Sequence, residues 1–297
     1  MNQSRKTIVI ASVLLVVLFA GAVVALQKID SARGKDAAIE EVLYLPSGKT
    51  VKRLSLGYSS LLAVVYWTRA VQYFGNRHLQ DSKRYDLLYP LLDITTDLDP
   101  QLVVAYQTGS IFLCQSPPNG AGEPDKAVAL LEKGIAANPE VWRMYFTLGF
   151  VHYLERKDYK AAEQAFRKGS EVPGALPWMR TMAARMAEHA QDIETAMMLW
   201  RGIYETTHDK NVRDGAVKHL ASLQAEIDMR ELRIRVRTYH EKKGVWPTTW
   251  TELVRAGLLG GVPVDPAGQI YKLLPEGGVW VEDPSQFPFL DQAALAS

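Results

Sequence analysis

The stretch VWRMYFTLGFVHYLERKDYKAAEQAFRKGSEVP, from Val141 to Pro173, decides the fold class. Its apolar residues recur at helical spacing in two blocks, with a short polar break between them. Gly149 and Ala162 are small residues where the two predicted helices would cross, so they allow a close approach. Phe166 is expected to fill the space between the helices, and Pro173 to end the pair because it has no N–H to continue a helix. The stretch therefore predicts a pair of packed helices.

The same order of residues recurs along the chain, and it resembles tetratricopeptide repeats. In the central stretch the matching residues are Leu148-Gly149, Ala162, Phe166, Gly169 and Pro173. In the preceding stretch they are Gly109, Ala127, Leu131, Gly134 and Pro139. The resemblance covers residues 56–209 and is weaker at both ends. It implies an all-α superhelix of stacked helical hairpins, right-handed, whose concave face binds a peptide or a helix of a partner protein.

Composition narrows the class of function. The chain has 297 residues, of which 47% are hydrophobic and 23% are charged, as is ordinary for a folded protein. A net charge of +1 argues against a general nucleic-acid binder, which would usually carry a basic excess. The single cysteine, Cys114, excludes an internal disulfide and a cysteine-based zinc cage, and its apolar surroundings predict a buried thiol.

Residues 1–27 predict a membrane anchor. The run from Thr7 to Leu26 carries no charge, and at about 1.5 Å per residue it spans roughly the 30 Å hydrocarbon core of a bilayer. A cleaved signal peptide is the alternative, with a possible exit at Val23-Val24-Ala25, although the apolar run is longer than such a peptide needs. We expect an uncleaved single-pass anchor in the plasma (inner) membrane, with the soluble part extracytoplasmic.

Between the anchor and the repeats, residues 28–55 predict a polar spacer. The aromatic-rich stretch from Leu56 to Phe74 then predicts a buried helix. A second membrane span is not expected there, because Arg69 interrupts the apolar run. A helix face that rests on the membrane surface stays open as an alternative, since aromatic residues are expected of interfacial helices.

After the repeats, residues 210–243 predict one long charged helix, and residues 244–297 predict a small α+β module with a tail. The module is similar to the C-terminal half of type II secretion major pseudopilins. The matching residues are Tyr239, Gly244, Trp246-Pro247, Glu252-Leu253, Ala256-Gly257, Pro263, Asp265-Pro266, Gly268 and Tyr271. The N-terminal leader departs from the pilin pattern, so assembly into a filament is not expected.

Within the module the residues themselves predict two elements. Thr248 or Thr249 is expected to cap a short helix that Gly260-Gly261 ends. A hairpin is expected to follow, pairing Ile270–Leu274 with Val279–Glu282.

No catalytic signature is present. GxxxxGK(S/T), GxGxxG after a strand, HExxH and CxxCH are all missing from the sequence, so we expect no enzyme, no cofactor and no metal. A hydrolase or metal enzyme whose residues converge only in the fold is the open alternative. Asp192 is expected to cap the helix that begins at Ile193, rather than to bind a metal with Glu188 and His189.

The remaining candidate is a groove for a partner protein. In tetratricopeptide repeats the groove is lined by the first helix of each pair, near the Leu-Gly step. The resemblance assigns to it Tyr106, Ser110, Arg143, Phe146, Phe150, Tyr153 and Arg185. Arginines among aromatic residues suit a peptide with a carboxylate or an apolar helix. The alternative, that the aromatic side chains only pack against the neighbouring repeat, stays open.

Two functions are therefore expected from the sequence. The first is a membrane-tethered scaffold that binds protein partners and assembles or stabilises a bacterial membrane or envelope complex. The second, implied by the pseudopilin-like module, is an accessory component of a type II secretion or type IV pilus-like system.

Overall fold

The computed structural model of the chain describes residues 47–290 continuously and, before them, only positions 13, 17, 20, 21, 24 and 28. Most of the predicted anchor and spacer, and residues 291–297 of the tail, lie outside the described residues. Among the residues that are described, no helix is long and apolar enough to cross a membrane. The described part of the chain is mostly helical, in agreement with the all-α prediction.

The described residues form eleven α-helices and one small antiparallel sheet. The helices are α1 (Gly48–Leu54), α2 (Ser59–Leu79), α3 (Leu88–Leu98), α4 (Val103–Cys114), α5 (Pro124–Ala137), α6 (Trp142–Phe150), α7 (Tyr159–Ser170), α8 (Trp178–His189), α9 (Ile193–Thr206), α10 (Lys210–Lys243) and α11 (Trp250–Arg255). A π-helical turn, Val151–Arg156, continues α6. The strands are β1 (Lys272–Leu273) and β2 (Val279–Trp280), paired with Leu273 opposite Val279. The chain divides into two compact units between Leu130 and Leu131, inside α5.

In the first unit, α3 packs against α1, α2 and α4. It begins at Leu88. Pro90 therefore falls in the first turn, where a backbone N–H has no partner within the helix, and it does not break α3. Phe74 of α2 stacks on Phe112 of α4 with ring centroids 3.9 Å apart.

Part of the predicted spacer is folded. α1 begins after Ser47, whose side chain accepts a hydrogen bond from the N–H of Thr50. Val51 of α1 is buried together with Ala63 and Leu98. The serine cap and the burial of Val51 stabilise this short helix, so residues 48–54 of the predicted spacer are helical.

The prediction of a buried helix over Leu56–Phe74 is wrong for one face of α2. Only Ala63 and Ala70 of this helix are buried. Leu61 is 63% exposed, and Val64 and Val65 are exposed as well. The prediction failed because apolar residues occur all around α2, whereas only one side of the helix packs on its own unit.

In the second unit, consecutive helices pack in chain order: α6 on α7, α7 on α8, α8 on α9 and α9 on α10. A Cβ atom at Gly149 would lie 2.7 Å from the ring of Phe166, so the α6–α7 crossing is close. Ala162 and Phe166 have no exposed surface. These residues hold the positions that the sequence predicted for them.

Three aspartates, Asp158, Asp192 and Asp209, begin helices of this unit. Asp158 accepts a hydrogen bond from the N–H of Ala161 at the start of α7, and Asp192 accepts one from the N–H of Thr195 at the start of α9. The cap predicted at Asp192 is therefore present.

The C-terminal half of α10 forms a core with α11 and the sheet. Met229, Val236, Leu253, Tyr271 and Val279 are among its buried residues. The indole Nε1 of Trp250 donates to the carbonyl of Tyr271 at 2.6 Å. The Tyr271 hydroxyl donates to Asp228 of α10 at 3.0 Å, and burial together with this carboxylate raises the pKa of Tyr271, so the hydroxyl stays protonated.

The module differs from the prediction at both ends of α11. Thr249 is the N-cap residue, but its side chain makes no capping hydrogen bond. The helix ends at Arg255 with Ala256 as its C-cap, and Gly257 follows with φ +71°. The N–H of Leu258 then donates to the carbonyl of Leu253. Gly257 therefore ends the helix, three residues before Gly260-Gly261, because a left-handed residue is already available there.

The close crossing at Gly149 can be tested with alanine substitutions in two helices. Gly149→Ala should lower the free energy of unfolding by about 1–3 kcal/mol, because the new methyl group meets the Phe166 ring. Gly202→Ala in α9 is the control, since nothing lies within 4 Å of its Cβ position. It should raise stability by about 0.5–1 kcal/mol through helix propensity. Chemical denaturation of both variants measures the difference, and equal stability would contradict a tight crossing.

Candidate functional site

Two of the predicted groove residues are buried. Tyr106 and Ser110 lie on α4, in the first unit, and both are fully buried. The Ser110 hydroxyl donates to the backbone carbonyl of Gln107 at 2.8 Å. The structure therefore leaves neither side chain open to a partner.

The other five predicted residues lie in the second unit, and we name them the arginine–aromatic row: Arg143, Phe146, Phe150, Tyr153 and Arg185. The first four recur at intervals of three or four residues along α6 and its π-helical turn, so they share one side of that helix. Arg185 lies on α8.

The aromatic members of the row are half-buried against neighbouring helices. The Phe146 ring meets Trp178 of α8 edge-on, with centroids 5.4 Å apart. The Phe150 ring meets Phe166 of α7 in the same way at 5.2 Å. These contacts match the packing alternative that the sequence left open. They also hold the rings in place, because edge-to-face pairs have a preferred geometry.

The two arginines of the row are exposed. The Arg143 guanidinium lies over the Trp142 ring, 4.7 Å from its centroid, which restrains the side chain without neutralising its charge. Arg185 lines a cleft of about 310 Å³. The residues around this cleft include Glu188, His189, Gln191, His219, Glu226 and Phe289.

A buried polar cluster forms part of the cleft wall. Glu188 Oε1 accepts hydrogen bonds from the indole Nε1 of Trp200 and from His219 Nδ1, both at 2.7 Å. The His219 ring lies between Trp200 and Phe289, with centroid distances of 3.9 and 3.5 Å. Because both faces of the imidazole are covered and Nδ1 bonds to Glu188, the His219 ring is held in one orientation in the wall of the cleft.

Sequence reasoning missed this cluster. It considered Glu188 only with its neighbours His189 and Asp192, whereas the histidine partner is 31 residues away on another helix. Nothing in the sequence near Glu188 indicates that α8 contacts α10 at His219. Among the residues described, no group of three or more His, Cys, Asp or Glu side chains is arranged to hold a metal ion.

A second buried histidine has a structural position. His152 lies in the π-helical turn, and its Nδ1 has no hydrogen-bond partner among the described residues. Burial lowers the pKa of His152, so the neutral form is favoured. His152 is therefore a packed side chain and contributes no charge to the arginine–aromatic row.

No family model matches the chain, and a comparison with curated proteins finds no relative of significant similarity.

The polar cluster can be tested by removing its acceptor. Glu188→Ala leaves the Trp200 and His219 N–H groups without the carboxylate, so the free energy of unfolding should fall by about 2–3 kcal/mol. Glu188→Gln keeps an acceptor oxygen and should lose less. Glu205→Ala, at an exposed position of α9, should stay within about 0.5 kcal/mol of the wild type. Thermal or urea unfolding measures the loss in free energy of unfolding for each variant. Equal losses for the three variants would contradict a structural role for Glu188.

Proposed function

We propose that this chain is a non-enzymatic, membrane-tethered scaffold. In this proposal the arginine–aromatic row binds another protein, and the binding assembles or stabilises a bacterial membrane or envelope complex. The proposal rests on one observation, the row itself. Arg143 on α6 and Arg185 on α8 are exposed, and the half-buried aromatic rings that lie between them in sequence are restrained by neighbouring side chains.

The chemistry of the row indicates the kind of partner. Arginine and aromatic side chains dominate the binding energy of many protein interfaces. The rings are already ordered by Trp178 and Phe166, so little side-chain freedom is lost on binding. The arginines favour carboxylates, which they can bind in a bidentate manner. We therefore propose a partner segment with apolar side chains flanked by Asp or Glu.

The architecture supports the same proposal. The successive packing of α6 to α10, with a close crossing at Gly149, is what tetratricopeptide-like hairpins require. The uncharged run from Thr7 to Leu26 supports a single-pass anchor, with the folded part on the extracytoplasmic side.

Charge reversal tests the partner site with little risk to the fold. Arg143→Glu combined with Arg185→Glu should reduce the partner protein recovered from gently solubilised membranes at least about tenfold, because a carboxylate-bearing segment would then be repelled. Arg201→Glu, at an exposed position of α9 outside the row, is the matched control and should leave recovery unchanged. Quantitative mass spectrometry of the co-purified proteins gives the readout. Undiminished recovery with the double variant would refute the row as the binding site.

A second candidate function, in a type II secretion or pilus-like system, rests on one feature of the C-terminal module. Val264 and Ile270 form an isolated antiparallel bridge, and their side chains are 55% and 54% exposed. An exposed apolar pair on a small module suits contact with another protein.

This second function has its own test in a host strain that lacks the chain. If the module acts in secretion, the Val264→Asp/Ile270→Asp variant should fail to restore protein export, because charges then replace the apolar pair. Gln269→Asp, at an exposed position between the two residues, should restore it. Normal export with the double variant would exclude this surface from a secretion role.

A further inference from the structure

The outward side of α2 forms a long apolar strip. Leu61, Val64, Val65 and Val71 are exposed on it, and Leu79 continues it at the C-terminal end. These positions recur at helical spacing, and the residues that complete the strip, Thr68, Gln72 and Gly75, carry no charge. A helix of 21 residues is about 30 Å long, so the strip has the length of a substantial contact.

Three more apolar side chains are exposed just before α2. Leu54, Leu56 and Tyr58 are 73%, 87% and 69% exposed. The opposite side of α2 is already used, because Ala63, Ala70 and Phe74 pack within the first unit. A helix that is apolar all around is normally covered on all sides, so the outward side is expected to have an occupant.

Charge indicates the nature of that occupant. Residues 47–80 contain Lys49, Lys52, Arg53, Arg69 and Arg77 but no Asp or Glu, in a chain whose acidic and basic residues almost balance, 33 against 34. Lys49 and Arg53 are exposed on α1, and Arg69 is exposed on the flank of α2. An apolar strip whose own segment carries cations and no acidic residue matches an anionic membrane surface.

The bilayer is also the occupant within reach. Residues 27–47 separate the uncharged run from α1, and an extended chain of that length covers up to about 70 Å. A tether of this kind holds the strip at high effective concentration near the same bilayer.

We propose that α1 and α2 lie on the membrane surface, with the leucine and valine side chains of the strip at the boundary between headgroups and acyl chains. Lys49, Arg53 and Arg69 bind anionic phospholipid headgroups. The docking rests on the proposed function in one respect, since the anchor brings the strip to the bilayer. It gives the chain a second membrane contact, which fixes how the first unit is held at the surface.

Site-specific quenching in vesicles tests the docking with the full chain. In a Cys114→Ala background, a fluorophore is attached at Val65→Cys or at the control position Val217→Cys on α10, since both valines are 47% exposed. Nitroxide-labelled lipids in phosphatidylcholine vesicles containing phosphatidylglycerol should quench the label at position 65 at least about threefold more than the label at 217. The excess should shrink in vesicles of phosphatidylcholine alone, because the anionic partner is then missing.

Charge reversal gives the second arm of the test. Lys49→Glu with Arg53→Glu should lower the ratio of docked to undocked chain at least about tenfold, since each basic residue near an anionic surface contributes about fivefold. Gln101→Glu, at an exposed position of the first unit, adds a negative charge outside α1 and α2 and should change the ratio little.

Other outcomes would overturn the proposal. Equal quenching at positions 65 and 217 would show that the strip does not meet lipid. Disulfide-linked dimers of a Thr68→Cys variant would assign the strip to a second copy, and a cross-link from position 68 to residues 7–26 would assign it to the chain's own apolar run. Release of the whole chain from membranes by alkaline extraction would refute the anchor but not the docking. In that case, vesicle binding that still depended on Lys49 and Arg53 would support the docking.

Discussion

The structure of the second unit depends on one close contact, the ring of Phe166 against the backbone of Gly149. The space that a Cβ atom would need at position 149 is filled by this ring, 2.7 Å away. Phe166 in turn meets Phe150 edge-on, and Phe146 meets Trp178 of the next helical pair. A side chain that closes one crossing thus also orders the rings of the arginine–aromatic row. Packing and the candidate binding surface therefore cannot be varied independently at these positions.

Features that are local in sequence were predictable, because the physical cause lies within a few residues. The spacing of apolar residues predicted the helical pairs, and the position of Asp192 just before a helix predicted its cap. A charged run without proline or a pair of glycines predicted α10. Features that depend on contacts distant in sequence were not. The Glu188–His219 pair joins two helices 31 residues apart, and the burial of Tyr106 depends on what packs on α4. Of the seven predicted groove residues, five have surface available to a partner and two do not.

The error over α2 shows why an apolar pattern alone does not predict burial. Spacing gives the side of a helix on which apolar residues lie, but not whether protein, lipid or water covers it. α2 has apolar residues on both sides, and its own unit covers only the side of Ala63 and Ala70. The absence of acidic residues between 47 and 80 was visible in the sequence, yet it gained meaning only when the structure showed which side was uncovered.

A tethered scaffold gains from having its surfaces rigid before it meets a partner. The proposed anchor would confine the chain to the plane of a membrane and so raise the effective concentration of any partner held in the same membrane. Confinement alone does not orient the chain, because a flexible tether lets a binding surface face in any direction. A helix that lies on the bilayer would restrict that freedom for the unit to which it belongs. Part of the ordering cost of binding would then be met before the partner arrives, and modest contacts at the binding surface would be enough to hold it.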